Sequence, residues 1–193
     1  MSVLQDKSME ISELNTKINS CILCALSKGR KNAVPGEGKV PADLMILGEA
    51  PGKFEDIAGR PFIGMSGKFL TKYLEKAGIR REEVFITNAV KCRPPNNRKP
   101  KTEEIEACRP YLISQISIVK PKLILALGVS ASSSLGMSFS HLSEIRGRIT
   151  DISIGDRNVK VYVTFHPSFP MRFPKAREGF LDDLVKVKDF IMR

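Results

Sequence analysis

Short, nearly unbroken apolar runs alternate along this chain with stretches whose apolar positions fall every three or four residues. The runs are DLMILG at 43–48, VFITNA at 84–89 and LILALG at 123–128, and the stretches between them, 66–77 and 102–119, have helical spacing. Apolar strands joined by helices are the pattern of β-α-β units, in which a parallel sheet is covered on both faces. Ile11, Leu14 and Ile18 predict an amphipathic helix ending at Cys21, whereas 25–41 holds Gly, Pro and Lys without a period and reads as loop. Beyond Leu127, a helical stretch over 129–135 precedes two further runs, 148–154 and 159–166, separated by GDRN, which has the residues of a hairpin turn. Phe180, Leu184, Val187 and Ile191 mark one face of a last helix over 178–191. Ser66 and Thr102 stand where N-caps are expected, and Gly78 where a C-cap is expected. The expected fold is α/β: a three-layer α/β/α sandwich around a central, mainly parallel sheet of roughly four or five strands. One domain over 1–193 is expected at this length.

No apolar run of about 18 residues is present, and the opening MSVLQDKSMEISEL has no basic-then-apolar signal. No membrane span or secretion is therefore indicated, and a cytoplasmic, monomeric protein is expected. Charge changes the picture further. The 31 Lys and Arg exceed the 21 Asp and Glu by ten, and the excess is spread along the chain. Such a balance favours an anionic partner, nucleic acid first, although a lysine-rich surface of no special purpose gives the same count.

Four cysteines, Cys21, Cys24, Cys92 and Cys108, follow the order C-x2-C, a long gap, then C-x15-C. In a reducing compartment a metal centre suits them better than disulfides. Four thiolates accept either zinc or an iron-sulfur cubane. A zinc ribbon uses two tight knuckles, so the wide second pair suits the larger cluster.

In open α/β sheets, binding groups gather at the carboxyl ends of parallel strands. Those exits here read GEAPG from Gly48, TNAVKCRPPNNR from Thr87, GVSASS from Gly128 and HPSFPMR from His166. Together, GEAPGKFEDIAGRPFIGMSG, TNAVKCRPPNNRKP, HPS and the four-cysteine frame resemble the iron-sulfur uracil-DNA glycosylases of family 4. The resemblance covers nearly the whole chain from Cys21, and three separated motifs agree in order. It implies a monofunctional hydrolase of base excision repair that flips uracil out of DNA, cleaves its N-glycosidic bond and leaves an abasic site. It also implies a 4Fe-4S cluster on Cys21, Cys24, Cys92 and Cys108.

The roles implied by this resemblance can be argued chemically. Glu49 would serve either as general base or as a group that positions the attacking water. In better-studied relatives an Asp stands where this chain has Ala50. Ala50, in a long irregular loop after the strand, would present backbone to the flipped nucleotide. Phe62 would stack on the pyrimidine, and the Asn88 amide would pair with O4 and the N3 hydrogen of uracil. His166 would stabilise negative charge developing on the base. Ser66 and Ser168 would bind backbone phosphates, with Ser130 a weaker candidate for the same work. Phe169, Pro170 and Met171 are the apolar candidates for entering the duplex, beside Arg172, Lys175 and Arg177. The cluster would hold the loop carrying Lys91, Arg93, Arg98 and Lys99 against DNA. A binding-only module and an electron carrier are the competing classes.

Overall fold

The computed structural model describes residues 3–193, so the first two positions of the expected domain lie outside the described residues. Six strands form one sheet: β1 (Glu37–Gly38), β2 (Leu44–Gly48), β3 (Phe85–Asn88), β4 (Leu123–Leu127), β5 (Ile149–Ile154) and β6 (Arg157–Thr164). Their order is β1-β3-β2-β4-β6-β5, with β3, β2, β4 and β6 parallel and the two outer strands antiparallel. β2 and β4 are buried at every position, which explains their unbroken apolar sequence.

Around the sheet lie α1 (Val3–Asn19), α2 (Lys53–Ala58), α3 (Met65–Lys76), α4 (Thr102–Val119), α5 (Val129–Ser134), α6 (Leu142–Ile145), α7 (Ser168–Arg172) and α8 (Arg177–Ile191). On one face, Leu70 and Leu74 of α3 and Phe180, Leu184 and Val187 of α8 pack on Ile46, Leu125 and Tyr162. On the other, Leu112, Ile116 and Val119 of α4 and Ala131 of α5 cover Met45, Ile124 and Val161. Leu14 and Ile18 then seat α1 against Tyr111 and Ile118 on the outside of α4. The expected three layers are present, with α1 added outside them.

Several boundaries differ from expectation, each for a local reason. The sheet has six strands because Glu37–Gly38, inside the segment read as loop, pairs with β3, and two residues carry no readable alternation. The loop after Gly48 contains α2, whose buried residues are the acids Glu55 and Asp56 rather than an apolar stripe. Glu55 accepts the Ile63 and Gly64 N–H groups (3.1 and 2.8 Å), and Asp56 accepts that of Lys31 (2.9 Å), so polar bonds close this segment. Ser66 is not the cap of α3: that place belongs to Gly64. Thr102 is likewise the first residue of α4, and Glu104 satisfies the Lys101 N–H (2.8 Å). Gly78 does end α3. Its φ is 72°, with Gly78 N–H bonded to Glu75 O (3.0 Å) and Ile79 N–H to Leu74 O (2.8 Å), the two bonds of a Schellman motif. The hairpin turn shortens to Gly155 and Asp156, with Gly155 in the left-handed region.

Candidate active site

The exits of β2 and β3 run side by side. Gly48 pairs in register with Asn88, and the N–H groups of Ala89 and Val90 donate to the carbonyls of Gly48 and Glu49 (2.9 and 3.2 Å). A Cβ on Gly48 would collide with both Asn88 Oδ1 and the Phe62 ring, so only glycine lets the three meet. Asn88 is 1% exposed, and its Oδ1 finds no hydrogen-bond partner among the described residues. Leaving a buried acceptor unpaired costs about 1–3 kcal/mol, so this oxygen is available to a donor that the protein itself does not supply.

The other two exits close the arrangement. Gly128, at φ 86° after β4, donates to Thr164 O (2.9 Å), and a Cβ on it would press against His166 Cβ at 3.2 Å. The Phe62 and His166 rings lie 6.3 Å apart between centroids, tilted by 36°. Ser168 N–H donates to His166 Nδ1 (3.3 Å), and Ser168 Oγ lies 2.8 Å from the same nitrogen. In the neutral ring the remaining proton is therefore on Nε2, ready to donate. Burial pushes the imidazole below its ordinary value, and the Glu49 carboxylate opposes that shift. Glu49 itself accepts a hydrogen bond from the Ser130 hydroxyl. The fold thus brings Glu49, Phe62, Asn88 and His166 to one rim.

Other residues fall differently. Ser130 donates its hydroxyl proton to Glu49, so that proton is not free for a phosphate. Ser168 is exposed but its hydroxyl meets the imidazole. Ser66 lies half-buried in the first turn of α3. The segment after His166 is helical as α7 rather than irregular, and within it Pro170 is buried while Phe169 is 42% exposed. The Phe169 ring stacks on Phe165 at 4.6 Å and approaches Phe173 at 4.9 Å. Met171 is half-buried and Arg172 exposed. Ala50 packs against the buried cluster of Leu26, Val90, Cys92 and Cys108.

The four cysteines are free thiols lining one pocket between α1, the 90–92 segment and α4. They ring it rather than converge on a point: among the described residues, no three His, Cys, Asp or Glu side chains are placed to hold one ion. Arg30 Nη1 donates to Cys92 Sγ (3.1 Å) and Lys91 N–H to Cys108 Sγ (3.3 Å). Burial pushes the Cys108 thiol up to about 11, against the pull of Lys91, and raises that of Cys92. Lys91, expected on a DNA-binding loop, is instead interior. Its ammonium donates to Thr87 Oγ1 (2.7 Å), Asn88 O (2.7 Å) and Gln115 Oε1 (2.6 Å), and burial lowers it to about 8. Arg98 is paired with Glu104 (2.6 Å), which leaves Arg93 and Lys99 as the freer charges there. Sequence reasoning missed two links: Ser130–Glu49 joins two strand exits far apart in the chain, and Lys91–Asn88 lies within one exit but needs the lysine to turn inward, which a basic residue in a Pro-rich loop does not signal.

Residues 35–186 match the family model of the uracil DNA glycosylase superfamily. The chain belongs to that superfamily. Among type-4 uracil-DNA glycosylases, that of Pyrobaculum aerophilum is 48% identical over 180 residues, spanning 91% of this chain and 92% of its own. The Saccharolobus solfataricus protein is 44% identical over 178 residues, 90% of this chain and 82% of its own. That of Thermotoga maritima is 42% identical over 193 aligned residues, 98% of this chain and 97% of its own. The superfamily match takes in all four strand exits. Cys21 and Cys24 precede it, yet fall within the alignment to the Thermotoga glycosylase.

Proposed function

We propose that this chain is a monofunctional uracil-DNA glycosylase, hydrolysing the bond between uracil and deoxyribose in DNA for base excision repair. The observation that carries the reading at the level of residues is the buried, unpartnered Asn88 Oδ1 against the Phe62 ring. A flipped uracil offers an N3 hydrogen to that oxygen and a face to that ring, whereas cytosine has no hydrogen there to give. His166 Nε2–H donates to O2 as charge gathers on the departing base. Glu49, held by Ser130, orients a water toward the anomeric carbon and accepts its proton. Ala50 lets the sugar approach with little bulk. Ser66 and Arg172 contact phosphates, Ser168, expected to do the same, instead directs its hydroxyl to His166 Nδ1, and Phe169 and Met171 are the side chains that fill the space left by the flipped nucleotide.

The same reading assigns a 4Fe-4S cluster to Cys21, Cys24, Cys92 and Cys108. The donor set fits: four free thiols around one pocket, with Arg30 and the Lys91 N–H placed to stabilise thiolate sulfur. When bound, the group supplies a covalent tie between the start of the chain and the segment after Asn88. Lys91 then links the thiol pocket to the carbonyl of the recognition residue.

Release of free uracil from a labelled oligonucleotide tests the assignment. Asn88→Ala, His166→Ala and Glu49→Ala are each expected to slow excision by roughly 10²-fold or more. Wild-type rates in all three would refute the site. Removing the orphan acceptor in Asn88→Ala is also expected to leave thermal stability unchanged or slightly raised, which separates recognition from folding.

A further inference from the structure

Phe62 has a φ of 51°, in the left-handed region that an aromatic residue occupies only when its surroundings impose it. Those surroundings are built around one guanidinium. Arg81 Nη2 donates to Pro61 O (2.7 Å) and Nη1 to Phe62 O (3.2 Å), so two successive carbonyls are gripped by one planar fork. The fork is itself aimed: Nη2 also meets Glu37 Oε1 (3.0 Å) on β1, and Nη1 meets Thr71 Oγ1 (3.2 Å) on α3. Gly67 completes the seat, because a Cβ there would collide with the Phe62 carbonyl. None of these bonds reaches Glu49, Asn88 or His166.

We propose that Arg81 is a positioning residue for uracil recognition, fixing the plane of the Phe62 ring by holding the peptide groups on either side of Phe62. The inference rests on the stacking role given to Phe62 above and extends it to a residue that never touches the base. A lysine offers one point charge and cannot present two coplanar donors, so the role is specific to arginine.

A double-mutant cycle decides it. Single-turnover excision is measured for wild type, Phe62→Ala, Arg81→Gln and the double variant, together with affinity for uracil-free duplex and melting temperature. Arg81→Gln is expected to slow excision by about tenfold to a hundredfold while uracil-free affinity stays within about twofold. The double variant is expected to be no slower than Phe62→Ala alone. Arg81→Lys, which keeps the charge, is expected to recover little, and it carries the same cycle if Arg81→Gln yields no folded protein. Multiplying losses in the double variant, or a fall in uracil-free affinity as large as the fall in rate, would overturn the inference. If Phe62→Ala slows excision and Arg81→Gln does not, Arg81 alone is misassigned. If Phe62→Ala excises at the wild-type rate, the stacking role fails and the inference falls with it.

Discussion

Ser130, in the first turn of α5, donates its hydroxyl proton to the Glu49 carboxylate across the gap between the β4 and β2 exits. A hydrogen bond to an ionised group contributes about 1.5–3 kcal/mol, and here it also fixes the direction in which the carboxylate faces. Ser130→Ala is therefore expected to lower the single-turnover rate roughly tenfold to a hundredfold with little change in DNA affinity. Ser130→Thr, which keeps the hydroxyl, should retain most of the rate. Equal losses in both variants would mean that α5 packing rather than the bond to Glu49 is at work.

His166 sets a pH dependence whose sign follows from burial. Its pKa is lower in the folded chain than the ordinary value of about 6.5, so the unfolded chain binds the proton more readily. Stability attached to this group is fully present above about pH 6.5 and is lost as pH falls from there through the folded pKa. Chemical denaturation at stepped pH should show that loss in wild type and a shallower one in His166→Gln. Glu49→Gln removes the anion that favours the imidazolium, so the His166 midpoint followed by NMR should move lower still. An upward movement would contradict the geometry.

The thiol pocket predicts a thermal effect that is separate from catalysis. Protein isolated without oxygen is expected to contain about four iron and four sulfide per chain, and Cys24→Ser or Cys92→Ser to lose them. A cross-link closing loops this long contributes about 4 kcal/mol, so the loss should lower the melting temperature by roughly 8–16 °C. Hydrogen exchange should quicken in 20–30 and 90–98 while β2 and β4 stay protected. Unchanged exchange after metal removal would mean that these segments are held by other contacts.

The parallel core was legible because β2, β3 and β4 are buried on both faces and so must be apolar throughout. The last helix was legible for the related reason that Phe180, Leu184 and Val187 lie on one stripe. Elements stabilised by polar bonds were not. The α2 helix buries Glu55 and Asp56 against backbone N–H groups, and β1 is a glutamate and a glycine, so neither leaves a hydrophobic period to read. At the site, strand exits located Glu49, Asn88 and His166, because sheet topology fixes where such residues must lie. The links at the rim, Lys91 folding back to Asn88 O within one exit and Ser130 crossing from another to Glu49, depend on rotamer and register. They became visible only when neighbouring strands were in place.

The interior position of Lys91 also bears on the fate of the product. An amine that attacks C1′ of the sugar must be free and exposed, and then opens the way to strand scission. Lys91, despite its lowered pKa and its place near a strand exit, is 1% exposed with three hydrogen bonds to Thr87, Asn88 and Gln115. It cannot form that imine without giving up the bonds that hold the β3 exit together, so strand scission through this lysine is not expected, and a sugar-phosphate chain left whole would pass to a separate nicking activity.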